Sequence, residues 1–218
     1  TVGEYLARAG QRQLALSETH KFGHVTYFFN GNRSGKFSED LERYVQVTSD
    51  GCEPSEKPNM KAQEIVSETK AQVDDFNPDL IRLNFANGDM VGHSGDLKSA
   101  VETMEFMDGQ LEDLVSFLSS KGYVSIVTAD HGNCEEMAES DAKTGELKRQ
   151  PNGSLKPKTS HTLNPVPFAI VGDGAGSQFI VDDSVESPGV ANLAATLLNL
   201  LGFEAPADYE PSLVRPKD

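Results

Sequence analysis

Cysteine is scarce in this chain, with only Cys52 and Cys134 present and no CxxC spacing between them. That scarcity argues against a disulfide framework and suits a reducing compartment, so a cytoplasmic location is expected. Long apolar runs are also missing. Nothing in the sequence approaches the roughly 20 residues that span a bilayer, and the start has no basic region followed by an apolar one. Positive charge is in short supply as well, with 19 basic residues against 34 acidic ones and a formal net charge of −15. Such a surface repels nucleic acid and anionic lipid, so neither is expected as a partner. A phosphate substrate is not excluded, because bound divalent cations can be the largest charges in their neighbourhood and reverse the local sign. The chain also lacks an initial Met, and Thr1 to Leu6 reads as a short helix capped by Thr1. The start therefore looks internal to a longer polypeptide.

What is present fits an α/β domain. At 218 residues the chain can bury a sizeable core. Leu14 to Ser17 and His24 to Phe29 read as strands, the second ending in the turn signal Asn30-Gly31-Asn32. Leu41 to Thr48 reads as a third extended segment, Ser49 to Asn59 as a loop and Met60 to Phe76 as a helix. The order then becomes regular, with a strand at Leu80 to Phe85, a long helix at Leu97 to Ser120 and a strand at Tyr123 to Thr128. That alternation predicts βαβ crossovers and a mainly parallel sheet flanked by helices. The polar stretch Met137 to Thr159 reads as a surface excursion whose lysines are solvated. Pro167 to Val171 reads as a buried strand and Val190 to Leu201 as an apolar helix stopped by Gly202.

The chemistry-bearing residues gather where strands meet loops. Asp130 and His131 follow the strand ending at Thr128, Asp89 and His93 follow the one ending near Phe85, and His161 precedes the strand at Pro167. If the two strand exits are neighbours in a parallel sheet, their carboxylate and imidazole groups converge at one edge. The spacing of Asp89 and His93 puts both on one face of a helical turn, where they can grip one ion. Asp89, His93 and His161 make a three-ligand set of the kind left open for water or substrate. Asp130 and His131 are too few for a second site, so a partner group is missing. Ser94 and Ser160 read as loop or cap residues rather than nucleophiles.

At these residues the chain resembles the C-terminal portion of the cofactor-independent phosphoglycerate mutase family, within the alkaline phosphatase superfamily. The resemblance runs from Ser17-Glu18-Thr19-His20-Lys21-Phe22-Gly23-His24-Val25-Thr26, through Phe28-Phe29-Asn30-Gly31 and the Asp89 to Asp96 segment, to Asp130-His131-Gly132-Asn133 and Ser160-His161-Thr162-Leu163-Asn164-Pro165. The stretch Asn30 to Gly35 looks most like the plant and trypanosomatid branch. The resemblance implies an alkaline-phosphatase-like metal domain in which Asp89, His93 and His161 hold one divalent ion and Asp130 and His131 contribute to another. It also implies that Lys21 contacts the transferred phosphoryl group. Two ions, Mn²⁺ first with Mg²⁺ or Co²⁺ open, no 2,3-bisphosphoglycerate requirement and a monomeric intact enzyme are expected with it. The implied reaction interconverts 3-phosphoglycerate and 2-phosphoglycerate through a phosphoserine. In the family that serine, a further metal-binding aspartate and a transferase domain lie in segments with no match here, so the chain alone is expected to be inactive. Glu18 and His24 are placed near the site without a firm role, Arg33 in a surface turn, and the Cys134 thiol is read as packed. Another metal-dependent phosphatase or a phosphopentomutase is the alternative enzyme, and a catalytically silent metal-binding piece the alternative of another class.

Overall fold

A computed structural model of the chain describes residues 1–172 and 178–217. They form two compact units, one built from Gly3–Asp113 and His131–Pro165, the other from Leu114–Asp130 and Val166–Asp218. In the first unit β1 (Gln13–Glu18) is the middle strand of a three-stranded parallel sheet, flanked by β2 (Glu42–Val47) and β3 (Leu80–Asn84). Its register sets Leu16 beside Val45 on one side and Leu83 on the other. Every residue of β1 is buried, as expected of a parallel strand covered on both faces. Helix α2 (Ala62–Phe76) connects β2 to β3 and buries Ala62, Ile65, Val66, Thr69 and Val73, a stripe of helical period. Ile65 joins Leu14 and Leu16 in a solvent-free cluster, with Val45, Val47, Ile81, Leu83 and Phe85 packed against it. Each fully buried aliphatic side chain there contributes about 1.5–3 kcal/mol.

Local chemistry sets the ends of these elements. Helix α2 starts later than its apolar pattern predicts because Met60 sits at φ 45°, outside the helical region. It stops at Asn77, which takes the left-handed conformation and donates its N–H to the Val73 carbonyl. At the start of the chain α1 (Val2–Arg8) is capped by Thr1, whose hydroxyl accepts from the Glu4 N–H.

The predicted strand at His24 to Phe29 is not a strand. The chain instead leaves β1 through a 3-10 turn at Thr19–Lys21 and a π-helical turn at His24–Phe28. Both edges of β1 are already taken, by β2 and β3. The turn is held from within by Thr26 Oγ1 donating to the Phe22 carbonyl, and from the sheet by Arg82 Nε donating to the Val25 carbonyl. The turn signal that follows is real, since Gly31 and Asn32 have φ of 73° and 61°.

After β3 come α3 (Asn87–Gly92) and the first part of α4 (Leu97–Ser120). Asp96 caps α4, accepting from the Lys98 N–H and the Ser99 hydroxyl. Ser94 donates its hydroxyl to the Val91 carbonyl and accepts from the Asp96 N–H, which is the work of a turn residue. The polar excursion after Met137 folds back through the antiparallel bridges Ala138↔Pro157, Ser140↔Leu147 and Arg149↔Leu155. Lys148 and Lys156 pair with Glu139, and Lys158 with Glu136.

In the second unit β4 (Ser125–Thr128) pairs antiparallel with β5 (Phe168–Val171). Gly122, at φ 84°, stops α4 just before this strand. Helix α5 (Leu193–Leu200) follows a 3-10 turn, and β6 (Phe179–Val181) pairs antiparallel with β7 (Val214–Pro216). No helix among the described residues is long and apolar enough to cross a membrane.

Candidate metal centre

Two neighbouring parallel strands deliver the first groups from their C-terminal ends, where open α/β sheets place ligands. Lys21 leaves β1 and Asp89 leaves β3, and Lys21 Nζ lies 2.5 Å from Asp89 Oδ2. The predicted helical turn carries Asp89 and His93: Asp89 lies in α3, His93 is its C-cap, and the His93 N–H bonds the Asp89 carbonyl. His131 and His161 arrive on two strands of loop joined by an antiparallel bridge, Gly132↔Thr162, with the Thr162 N–H 2.9 Å from the Gly132 carbonyl. Their rings stack at 3.6 Å.

Asp89 Oδ1 lies 3.0 Å from His93 Nε2 and 3.1 Å from His161 Nε2, and the two nitrogens are 3.1 Å apart. His131 Nε2 stands slightly back, 3.9 Å from the same oxygen. His93 Nδ1 is 2.7 Å from the Thr159 carbonyl and His131 Nδ1 is 3.2 Å from that of Gly132. A carbonyl can only accept, so each Nδ1 carries a proton, and in the neutral ring Nε2 presents a lone pair. With neutral rings, lone pairs face a carboxylate oxygen, an arrangement suited to a cation between them. Metal–ligand bonds of about 2.1 Å at right angles separate adjacent ligand atoms by about 3.0 Å, the spacing found in this triangle. Asp89, His131 and His161 form a looser group whose ligand atoms all lie within 4.8 Å of one another. The donor set thus fits a divalent metal ion.

Burial alone would raise the Asp89 carboxyl, but hydrogen bonds from Lys21 and Asn133 and the charge of Lys21 outweigh it and hold the group at about 2. It is therefore ionised, as a ligand must be.

Lys21 looks like a surface lysine in the sequence but is buried against Asp89. Asp130, an exposed residue after β4, belongs to the second unit. Glu18 is fully buried; its Oε2 accepts from the Ser49 hydroxyl, and it lines a small cavity with His20, Asp50 and Cys52. The His24 ring lies tilted against Phe28, with centroids 5.2 Å apart, and Arg33 bonds the Lys36 carbonyl and lies over the Phe37 ring, a surface turn as predicted. Cys134 packs on the cluster of Val91, Ala100 and Met137, and burial pushes its thiol up. Asn133 escaped the sequence reading. Its Nδ2 donates to both Asp89 Oδ1 and the Asp89 carbonyl. The available signal was its place in the Asp-His-Gly-Asn run, since metal ligands require oriented neighbours.

A carboxylate and imidazole cluster at the exits of parallel strands defines a metal-binding α/β protein. The chain belongs to the Metalloenzyme superfamily, whose profile matches residues 1–205. It is 47% identical over 214 residues to the 2,3-bisphosphoglycerate-independent phosphoglycerate mutase of Trypanosoma brucei brucei, covering 98% of this chain and 39% of that protein. A probable 2,3-bisphosphoglycerate-independent phosphoglycerate mutase 2 of Arabidopsis thaliana is 47% identical over 215 residues, covering 98% of this chain and 38% of the relative. A crystal structure of Leishmania mexicana phosphoglycerate mutase at low cobalt concentration matches 99% of this chain and 39% of its own, with a TM-score of 0.95 and 46% identity. The chain thus spans about two fifths of the length of these relatives.

Proposed function

We propose that this chain is the metal-binding C-terminal portion of a cofactor-independent phosphoglycerate mutase, a glycolytic isomerase of the cytoplasm acting as a monomer. The observation that carries the reading is the contact of Lys21 with Asp89 inside a cluster of three imidazoles. It unites a cation suited to a phosphoryl group with ligands suited to a metal. In this reading Asp89, His93 and His161 hold one divalent ion, and Asp130 and His131 contribute to a second. Oxygen and imidazole donors suit Mn²⁺, with Mg²⁺ and Co²⁺ as substitutes. When bound, such ions lower the pKa of a serine hydroxyl and offset charge developing on phosphoryl oxygens.

The residues of this chain have definable tasks. Lys21 spends one of its three N–H donors on Asp89 and keeps two for a phosphoryl oxygen. Its burial fixes the ammonium in place, so little side-chain freedom is lost when phosphate arrives. The Thr159 carbonyl holds the His93 ring with Nε2 turned inward. The nucleophilic serine and the remaining aspartate come from a segment outside these 218 residues, a view supported by the partial coverage of the relatives. Serine takes phosphate from one hydroxyl of the glycerate and returns it to the other, without a 2,3-bisphosphoglycerate requirement.

The full-length protein, assayed with 3-phosphoglycerate and with pentose phosphates before and after chelation, tests this. Metal-dependent mutase turnover of phosphoglycerate is expected. Turnover of pentose phosphates alone would move the assignment to a phosphopentomutase, and metal binding without either activity to a silent piece. The purified 218-residue chain should be inactive; detectable mutase turnover by it would refute the division of labour.

A further inference from the structure

Glu135 lies outside the ligand set, yet three donors from the two ligand-bearing loops end on it. Its Oε2 accepts the Asn133 N–H at 2.6 Å, and its Oε1 accepts the Thr162 hydroxyl and the Asn164 side-chain amide, the latter at 3.0 Å. Glu135 is itself exposed; partial desolvation would raise its carboxyl, but the hydrogen bonds from Thr162, Asn164 and Asn133 prevail and lower it. Thr162 directly follows His161, and Asn133 grips Asp89 at 2.7 Å. A continuous path therefore runs from Asp89 through Asn133 and Glu135 to Thr162 and His161. The packing along it is tight: a methyl group on Gly132 would come within 2.9 Å of the Glu135 carboxyl carbon, and one on Gly92 within 2.8 Å of the Asn133 amide carbon.

The geometry points to Glu135 as a positioning residue that locks the His161 arm to the Asp89 arm and so sets the metal affinity of the site. In that role it acts through Asn133 and Thr162 rather than on substrate or ion. As the hydrogen bonds stand, all three of its partners present hydrogens to it, which an acceptor-only carboxylate satisfies together. A glutamine would turn an N–H₂ against at least one donor. Loss of an outer partner of this kind typically lowers metal affinity about 10–100-fold. This inference rests on the metal reading above.

The test is titration of the metal-free full-length protein with Mn²⁺ by calorimetry, alongside thermal melting of the same metal-free samples. Glu135→Gln should weaken Mn²⁺ binding by about tenfold or more, with metal-free melting little changed. Thr162→Val should weaken it similarly, Thr162→Ser should restore it, and the double variant Glu135→Gln/Thr162→Val should be little worse than either single change. Affinity within twofold (0.3 log unit) of the unaltered protein in both Glu135→Gln and Thr162→Val would overturn the inference, at roughly the precision of such a measurement. So would lowered metal-free melting with unchanged affinity, the signature of a purely structural role. Should Glu135→Gln not fold, the contrast between Thr162→Val and Thr162→Ser decides alone. Failure of the unaltered protein to bind Mn²⁺, with Asp89→Ala indistinguishable from it, would overturn the metal reading instead.

Discussion

Replacing Lys21 with methionine removes the ammonium from Asp89 while keeping a long apolar stem in a buried position. Both side chains are largely shielded, at 10% and 13% relative exposure. Breaking a buried ion pair by removing one partner costs about 3–5 kcal/mol, because the other charge is left uncompensated. Asp89 keeps the hydrogen bond from Asn133 and the nearby imidazoles, so about 2 kcal/mol is the more reasonable expectation. In a protein of roughly this size that loss lowers Tm by about 4–8 °C. The decisive comparison is between metal-free and Mn²⁺-saturated protein. A cation at the imidazole cluster takes over the neutralisation of Asp89, so the loss caused by Lys21→Met should shrink once Mn²⁺ is bound. Urea unfolding at pH 7 in the presence of chelator and of Mn²⁺ measures both values. An equal loss in the two conditions, or a metal-free stability within about 0.5 kcal/mol of the unaltered protein, would refute the coupling of Lys21 to Asp89.

Three further outcomes follow from the same geometry. Leu16→Ala empties the middle of the parallel sheet, where Leu16 is fully buried, and should cost about 2–5 kcal/mol in denaturant unfolding. Glu18 has its carboxyl raised, chiefly by burial and against the Ser49 hydrogen bond. A carboxyl whose folded pKa lies above its unfolded value binds protons more readily when folded, so its contribution to stability is present at low pH and lost as pH rises through the folded pKa. Glu18→Gln should therefore raise Tm at neutral pH, with the advantage shrinking toward pH 4.5 and below; a pH-independent difference would contradict it. His93→Ala removes one vertex of the ligand triangle and should weaken Mn²⁺ binding by more than tenfold in a calorimetric titration, whereas Arg33→Ala, in its surface turn, should leave it unchanged.

Legibility varied with how local the deciding interaction was. The long helix α4 was visible as a stripe of apolar residues with Gly122 at its end, and the Asp89 to His93 turn was visible as a spacing. In both cases neighbours along the chain decide. His24 to Phe29 misled because β-branched and aromatic residues favour strands, while the actual outcome depends on β1 already having two partners and on Arg82 taking the Val25 carbonyl. Strand β4 was recognised as a strand, but its partner β5 lies some forty residues on, and propensity says nothing about partners.

By itself the sequence determined the α/β class, the identity of the metal-capable residues and the resemblance that ties them to phosphoryl chemistry. Composition, short-range periodicity and motif order are all properties of residues close in the chain. Only the tertiary structure decided that Lys21 is buried on Asp89, that three imidazole nitrogens face one carboxylate oxygen, and that Glu135 clasps the loops carrying two of them. Apart from the local Asp89–His93 pair, those contacts join residues separated by 27 to 72 positions. Their distances are set by strand register and loop bridging, which exist only once the core has closed.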